Sequence, residues 1–332
     1  MKRRLLDWLA CPGCGGAFSL AATETKGDET REGELTCLGC AARYPVVRGI
    51  PRLLPPALSA EAVATARAFG YEWTRFAEIR PEYEGQFLGW IEPITREDFA
   101  GGRVLDAGCG KGRHLRLAAA FGAQDVVGID LGPAVEAAAL NTADLGNVHV
   151  VQGDLTRPPL RAESFDLIYS IGVLHHLREP AAGFRGLAPL LAPEARFVAW
   201  LYAREGNGWV VGLVDPARRL TSRLPLGLVR PLAWLLTVPL WLGLKTLYGP
   251  ARSRPWLRRL LPYQSYLCDL AAFPFREIHS IAFDQLLAPV AHYMPRAAVE
   301  RCFAQGGLDL RSLRWHHANS WAAWGLRQAR NS

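Results

Sequence analysis

Five short apolar runs recur between residues 103 and 202, separated by stretches with helical spacing. The runs are RVLDA (103–107), DVVGID (125–130), NVHVVQGD (147–154), FDLIYSI (165–171) and RFVAWLY (196–202). Between them lie RHLRLAAAFGA, PAVEAAALNTADLG and PAAGFRGLAPLLA. Strands that alternate with helices predict a parallel sheet with helices on both faces. The tail resumes the pattern, with a helix expected at about 295–306, ended by Gly306–Gly307, and strands near 308–315 and 320–327.

The first run leads into VLDAGCGKGRH, which places Gly108, Gly110 and Gly112 directly after Asp106. Glycines allow a tight turn whose N–H groups face a ligand, and the helix starting near Lys111 aims its positive dipole end at the same spot. Asp106 and Asp130 end the first two strands and Asp154 follows the third, so a parallel sheet gathers all three over one crevice. A single acid of this kind is most often a helix cap or a solvated loop residue. Three at strand ends suit a ligand with a ribose diol, an exocyclic amine and a positive charge better than a pyrophosphate.

In order, VLDAGCGKGRH, VVGIDLG, VQGDLTRPPL and FDLIYSIGVLHHL resemble the successive motifs of class I S-adenosylmethionine-dependent methyltransferases of type 11. The resemblance implies an α/β fold with a Rossmann-like seven-stranded sheet. It implies that Asp106, Ala107, Gly108 and Gly110 hold the methionine part of S-adenosylmethionine, Asp130 with Leu131 the ribose, and Asp154 with Leu155 the adenine. Ile171 would line the pocket wall. The implied reaction is an in-line displacement at the sulfonium methyl, leaving S-adenosylhomocysteine. Candidates for acceptor-side chemistry are His175 (with His176 beside it), Tyr202 and His292, with Asp284 and Tyr293 in reach. The family's Lys-Pro-Gly-Gly-like turn before the fifth strand is replaced here by APEAR (192–196).

Near the N-terminus, CPGC and CLGC bring Cys11, Cys14, Cys37 and Cys40 into a C-x2-C…C-x2-C spacing. Such knuckles place four thiolates around a structural zinc with no open coordination position. With the following YPVVRGIP, they resemble the Trm112-like zinc ribbon over residues 9–54. The remaining cysteines, Cys109, Cys268 and Cys302, are expected to pack in the core. Seven cysteines without a secretory signal argue against a disulfide framework and for a cytoplasmic protein.

These features divide the chain into a ribbon (1–55), a helical linker or cofactor lid (56–100), the cofactor-binding core (101–203), an apolar and basic cap insert (204–280) and the C-terminal part of the core domain (281–332). In the lid, Tyr71, Trp73 and Phe76 could stabilise a sulfonium methyl through their π-faces. The insert, over 204–260, holds ten Arg/Lys against Glu205 and Asp215, with four tryptophans. Its apolar centre, 231–244, is short for a membrane span and contains Pro231 and Pro239. It is expected either to cap the acceptor pocket or to lie against an anionic membrane, and both favour a hydrophobic small-molecule or lipid-like acceptor. The net charge of +7 also permits RNA, and a zinc ribbon ahead of this fold resembles the rRNA guanine methyltransferases. Against RNA stands the acidic ATETKGDETREGE between the knuckles. A third alternative is a non-catalytic scaffold. His316 and His317 are expected on opposite faces of a strand.

Overall fold

The computed structural model describes residues 1–208 and 210–328; Trp209, one of the insert's four tryptophans, lies outside the described residues. The N-terminal unit is an antiparallel meander of β1 (Phe18–Lys26), β2 (Glu29–Cys37), β3 (Arg43–Val47) and β4 (Ile50–Leu53). The last hairpin turns on Arg48–Gly49, both with positive φ, as a two-residue turn between twisted strands requires.

Two helices follow, α1 (Ala60–Arg75) and α2 (Glu82–Ile91). Ser59 caps α1, its hydroxyl accepting from the Ala62 N–H at 3.1 Å. The alternating region then folds as β5 (Arg103–Ala107), α3 (Arg113–Ala120), β6 (Asp125–Asp130), α4 (Ala134–Asn141), β7 (Val148–Gly153), β8 (Phe165–Ile171), α5 (Pro180–Leu187) and β9 (Leu191–Tyr202). β9 takes in the APEAR stretch, with Glu194 in the left-handed region where the family's glycines would sit without strain.

The insert contributes α6 (Asp215–Thr221), then α7 (Leu226–Gly243), which runs through a π-helical turn at Leu244–Tyr248 into the short α8 (Gly249–Ala251). α9 (Pro255–Leu260), α10 (Gln264–Leu270) and α11 (Phe275–Leu287) complete it, before α12 (Arg296–Gln305), β10 (Leu308–His316) and β11 (Ser320–Arg327).

The strand order is β1-β2-β3-β4-β7-β6-β5-β8-β9-β11-β10, with β4 to β9 parallel across the sheet and β11 reversed. The seven strands β5 to β11 form the expected sheet, and the ribbon extends it to eleven. β4 lies parallel to β7, with Arg52 opposite Gln152 and Leu53 opposite Gly153, so the ribbon covers what would be an open sheet edge. Polar contacts reinforce this seam. Lys2 Nζ donates to the carbonyls of Leu145 and Val148 at 2.6 and 2.8 Å, Arg4 pairs with Asp125 at 2.6 Å, and Arg52 pairs with Glu136. One hydrophobic core runs from Leu5, Leu35 and Val46 of the ribbon to Val127, Ile168 and Phe184; a second, on the other side of the sheet, joins Phe87, Trp90, Leu115 and Val198. Cys109, Cys268 and Cys302 are buried, as expected of packing residues.

Two expectations need correction. The apolar centre of the insert does not stop at 231–244: Leu226–Ala251 forms a helical stretch of 26 residues, long and apolar enough to cross a membrane. Pro231 and Pro239 lie within the helix because the carbonyls they leave without a donor one turn back belong to the exposed Gly227 and Leu235. His316 and His317 do not separate to opposite faces. β10 ends at His316, His317 enters a left-handed turn, and the two rings meet edge-to-face at 3.9 Å.

Candidate cofactor and acceptor site

The chain runs outward on one side from β5 through β6 to β7 and then returns to the other side at β8, so the strand order reverses beside β5 and leaves a crevice at the carboxyl ends. The glycine turn fills the mouth of this crevice. Gly108 has φ +96°, and a Cβ there would fall 2.3 Å from a methyl of Val173, so no other residue fits the bend. Asp106, at the end of β5, is 1% exposed, and its Oδ2 makes no hydrogen bond among the described residues. Burial pushes its carboxyl up to about 8, opposed by Arg113 and aided by the charge of Asp130. A buried carboxyl oxygen without a donor is the feature expected where a bound amine or other cation completes the site.

Asp130 fastens the two turns together, accepting from the Gly110 N–H at 3.0 Å and the Gly132 N–H at 2.9 Å. Asp154 accepts from the Thr156 N–H at 2.8 Å. Ala107, Leu155 and Ile171 are buried walls, and half-buried Leu131 lends its carbonyl to Gln152 at 2.9 Å. The structure thus gathers the nine residues expected to hold the cofactor along one rim.

α1 closes over this rim. A Cβ on Gly70 would lie 2.3 Å from the Pro133 ring, and one on Gly132 would lie 2.5 Å from the Ala66 carbonyl oxygen. Trp73 covers the glycine turn, its indole nitrogen 3.2 Å from where a Gly110 Cβ would be. Tyr71 and Phe76 face α11 instead, against Phe283. The lid is held by Lys111, a residue sequence reasoning left without a role. Its buried Nζ donates to the Phe76 carbonyl and the Tyr83 hydroxyl, both at 2.8 Å, and Tyr83 donates in turn to Glu277 of α11 at 2.7 Å. Burial lowers the Lys111 amine to about 8.

The residues expected on the acceptor side lie at and beyond the ends of β8 and β9. His175 is fully buried, its ring 4.0 Å from that of Tyr202, and neither ring nitrogen has a partner among the described residues. Burial, with the nearby His176 and Arg218, holds it far below the usual imidazole range, so it is neutral. The Tyr202 hydroxyl accepts from Gln285 at 3.2 Å and donates to Asp284 at 3.4 Å. Asp284 Oδ1 is buried without a partner; burial raises this carboxyl to about 6 against the pull of Arg218. Arg218 bonds the Tyr293 hydroxyl at 2.7 Å, and the Tyr293 ring stacks on Tyr202 at 5.6 Å. His292 stands apart: its side chain is exposed, and only its backbone N–H reaches the site, donating to the His175 carbonyl at 2.9 Å.

Sequence reasoning missed Glu72, Arg218 and Gln285. Glu72 of α1 is fully buried, accepts from the Ser280 hydroxyl at 2.7 Å and keeps Oε2 unpaired. Burial, with the charge of Asp284, raises its carboxyl well above the usual range. Buried charges on α1 and α6 resemble ordinary surface charges in sequence, and no spacing marks them.

In the ribbon, the Sγ atoms of Cys11, Cys14, Cys37 and Cys40 all lie within 4.8 Å of one another. The Cys11–Cys40 and Cys14–Cys37 separations, 3.7 and 3.5 Å, are close to the roughly 3.8 Å edge of a tetrahedron with metal–sulfur bonds of about 2.3 Å. The Gly39 N–H points at Cys37 Sγ at 3.4 Å, support of the kind a metal-bound thiolate receives. The donor set fits structural zinc.

Comparisons with known proteins show a methyltransferase domain behind a Trm112p-like segment. A methyltransferase-domain family model matches residues 105–199, and a Trm112p-like protein model matches residues 2–49. A ubiquinone biosynthesis O-methyltransferase of Xanthomonas euvesicatoria pv. vesicatoria is 34% identical over 177 residues, 48% of this chain and 72% of that protein. A tRNA U34 carboxymethyltransferase of Idiomarina loihiensis is 32% identical over 117 residues, 33% of this chain and 36% of that protein. Among solved structures, a complex containing the Haloferax volcanii Trm112 methyltransferase activator superposes with a TM-score of 0.47 at 14% identity, covering 83% of this chain and all of that one.

Proposed function

This chain belongs to the S-adenosylmethionine-dependent methyltransferases, and from that premise we propose that it methylates a hydrophobic small-molecule or lipid-like acceptor in the cytoplasm. The observation that carries this proposal is the enclosure of the acceptor side. Tyr202, Tyr293 and His175 pack ring against ring beneath α6 and α11, where a few buried polar atoms, Asp284 Oδ1 and the two His175 nitrogens, lack partners among the described residues. Aromatic rings around a few unpartnered polar atoms suit a small, largely apolar ligand.

When bound, S-adenosylmethionine supplies an electrophilic methyl group. The residues of the chain hold and exclude. Asp106 and the Gly108–Gly110 turn hold the methionine end, Asp130 the ribose, and Asp154 with Leu155 the adenine, while Trp73 keeps water from the turn. On the acceptor side Tyr202 and Tyr293 orient the ring or chain of the acceptor, neutral His175 accepts a hydrogen bond from the attacking atom, and Asp284, raised to about 6 with Oδ1 unpartnered, takes the proton that atom sheds. Much of the rate comes from holding the two reactants in near-attack geometry.

An RNA acceptor is the second reading, supported by the likeness to a tRNA U34 carboxymethyltransferase, since a flipped-out base also fits an aromatic pocket. One experiment separates them. The zinc-loaded protein is incubated with S-adenosylmethionine and either a cell metabolite extract or total RNA, and products heavier by one methylene are sought by mass spectrometry. The expected product lies in the organic-soluble metabolites and disappears with Asp106→Ala. A product found only in RNA overturns the proposal.

A further inference from the structure

The helical stretch Leu226–Ala251 has one side on the protein and one side bare. Val229, Ala233, Thr237 and Leu244 are buried, where the helix lies along α11 and the neighbouring helices. The rest of its circumference carries Leu228, Trp234, Leu235, Leu236, Leu242 and Leu247, exposed by 47 to 63%. Only 17% of its most apolar window is buried, and the mean hydropathy there is 1.4. An exposed apolar helix surface of this length is more than a soluble surface ordinarily presents.

The charges around the stripe select its occupant. Arg223 and Arg230 flank its start, and Arg252, Arg254 and Arg259 its end; all five are exposed and have no carboxylate partner among the described residues. Asp215, one of the insert's two acids over 204–260, is already paired with Arg219 at 2.8 Å. Trp256 and Leu260 extend the apolar surface among the last arginines, exposed by 66 and 72%. Next to Trp234, a groove lined by Tyr71, Arg75, Arg230 and Phe275 opens toward α1. A second copy of the chain on the same face would set arginines against arginines, which disfavours self-association. Because the helix stays packed on the protein body through Val229, Ala233, Thr237 and Leu244, it does not thread through a bilayer as an isolated span, but its exposed surface can lie on one with arginines at headgroup depth.

We propose that the bare face of α7 docks on an anionic lipid bilayer, its leucines and Trp234 entering the acyl boundary while the flanking arginines meet the acidic headgroups. This orientation turns the groove beside α1 toward the membrane. The inference concerns a surface, not the acceptor, and stands or falls separately from the proposed chemistry.

The test is co-sedimentation of the full, zinc-loaded chain, without cofactor or acceptor, with vesicles of phosphatidylcholine alone or mixed with phosphatidylglycerol. Binding to the mixed vesicles is expected, with at least about tenfold less on neutral ones and a steep fall in high salt. Leu235→Glu with Leu236→Glu, and separately Arg252→Gln with Arg254→Gln and Arg259→Gln, should each weaken binding about tenfold or more. Both variants should bind S-adenosylmethionine as the parent does, which reports that they are folded. The proposal is overturned by an absence of vesicle binding, by equal binding to neutral vesicles, or by binding that survives the two glutamates. A parent dimer in light scattering that the glutamates dissolve also overturns it, because the face is then covered by a second copy.

Discussion

Asp106 is a carboxyl shut away from water with one oxygen unpaired, and its acidity should therefore report cofactor binding. Without ligand, burial holds it up to about 8. A cation bound beside it favours the carboxylate, so binding below that pH must expel a proton. Affinity for S-adenosylmethionine should rise by up to about tenfold per pH unit until about pH 8 and then level off, and calorimetry in buffers of different ionisation enthalpy should detect the released proton. Asp106→Asn should flatten the profile and weaken affinity by roughly tenfold to a hundredfold. The sign for stability is opposite. The folded state holds this proton above the unfolded carboxyl's value of about 3.9, so Asp106's contribution to the cofactor-free protein declines as pH rises from there to about 8. On the acceptor side, Asp284→Asn should cut turnover on the identified acceptor about a hundredfold or more while leaving cofactor affinity within about twofold. The rim acids and the zinc cysteines were legible because a glycine turn, strand ends and C-x2-C spacing are local patterns. Glu72, Lys111 and Arg218 were not, because a buried charge differs from a surface one only by what packs over it.

Between elements, the lid's hold on the sheet has a specific test. Gly70→Ala alone should favour helix α1 by about 0.5–1 kcal/mol. Its Cβ, however, would land 2.3 Å from the rigid Pro133 ring, an overpacking cost of about 1–3 kcal/mol that outweighs the gain. The variant should melt lower, be cut faster by protease within residues 56–81, and bind S-adenosylmethionine more weakly. Unchanged cofactor affinity would separate α1 from the cofactor rim. Among the elements, β5, β6 and β8 match their sequence runs residue for residue, since acids and glycines end strands sharply. The full length of the α7–α8 stretch was hidden by Pro231 and Pro239, which argue for a break wherever their neighbours' carbonyls are not free to meet solvent.

For the whole molecule, the consequence of the ribbon lies in its seam. β4 completes the sheet edge at β7, Lys2 holds the carbonyls of Leu145 and Val148, and one core crosses the boundary. This pairing joins residues about a hundred positions apart, Arg52 with Gln152, and no local pattern announces it. Zinc is therefore expected at one per chain. Stripping it, or Cys14→Ser, should lower the melting temperature of the entire chain in a single transition instead of loosening the ribbon alone. The central claim, a cationic methyl donor lying along the carboxyl rim of the sheet, is tested most directly by a crystal structure with S-adenosylhomocysteine. The product should lie across the Gly108–Gly110 turn beneath Trp73, its amine near Asp106 and its ribose hydroxyls on Asp130. A rim left empty at saturating ligand, or a product bound anywhere else on the protein, would contradict it.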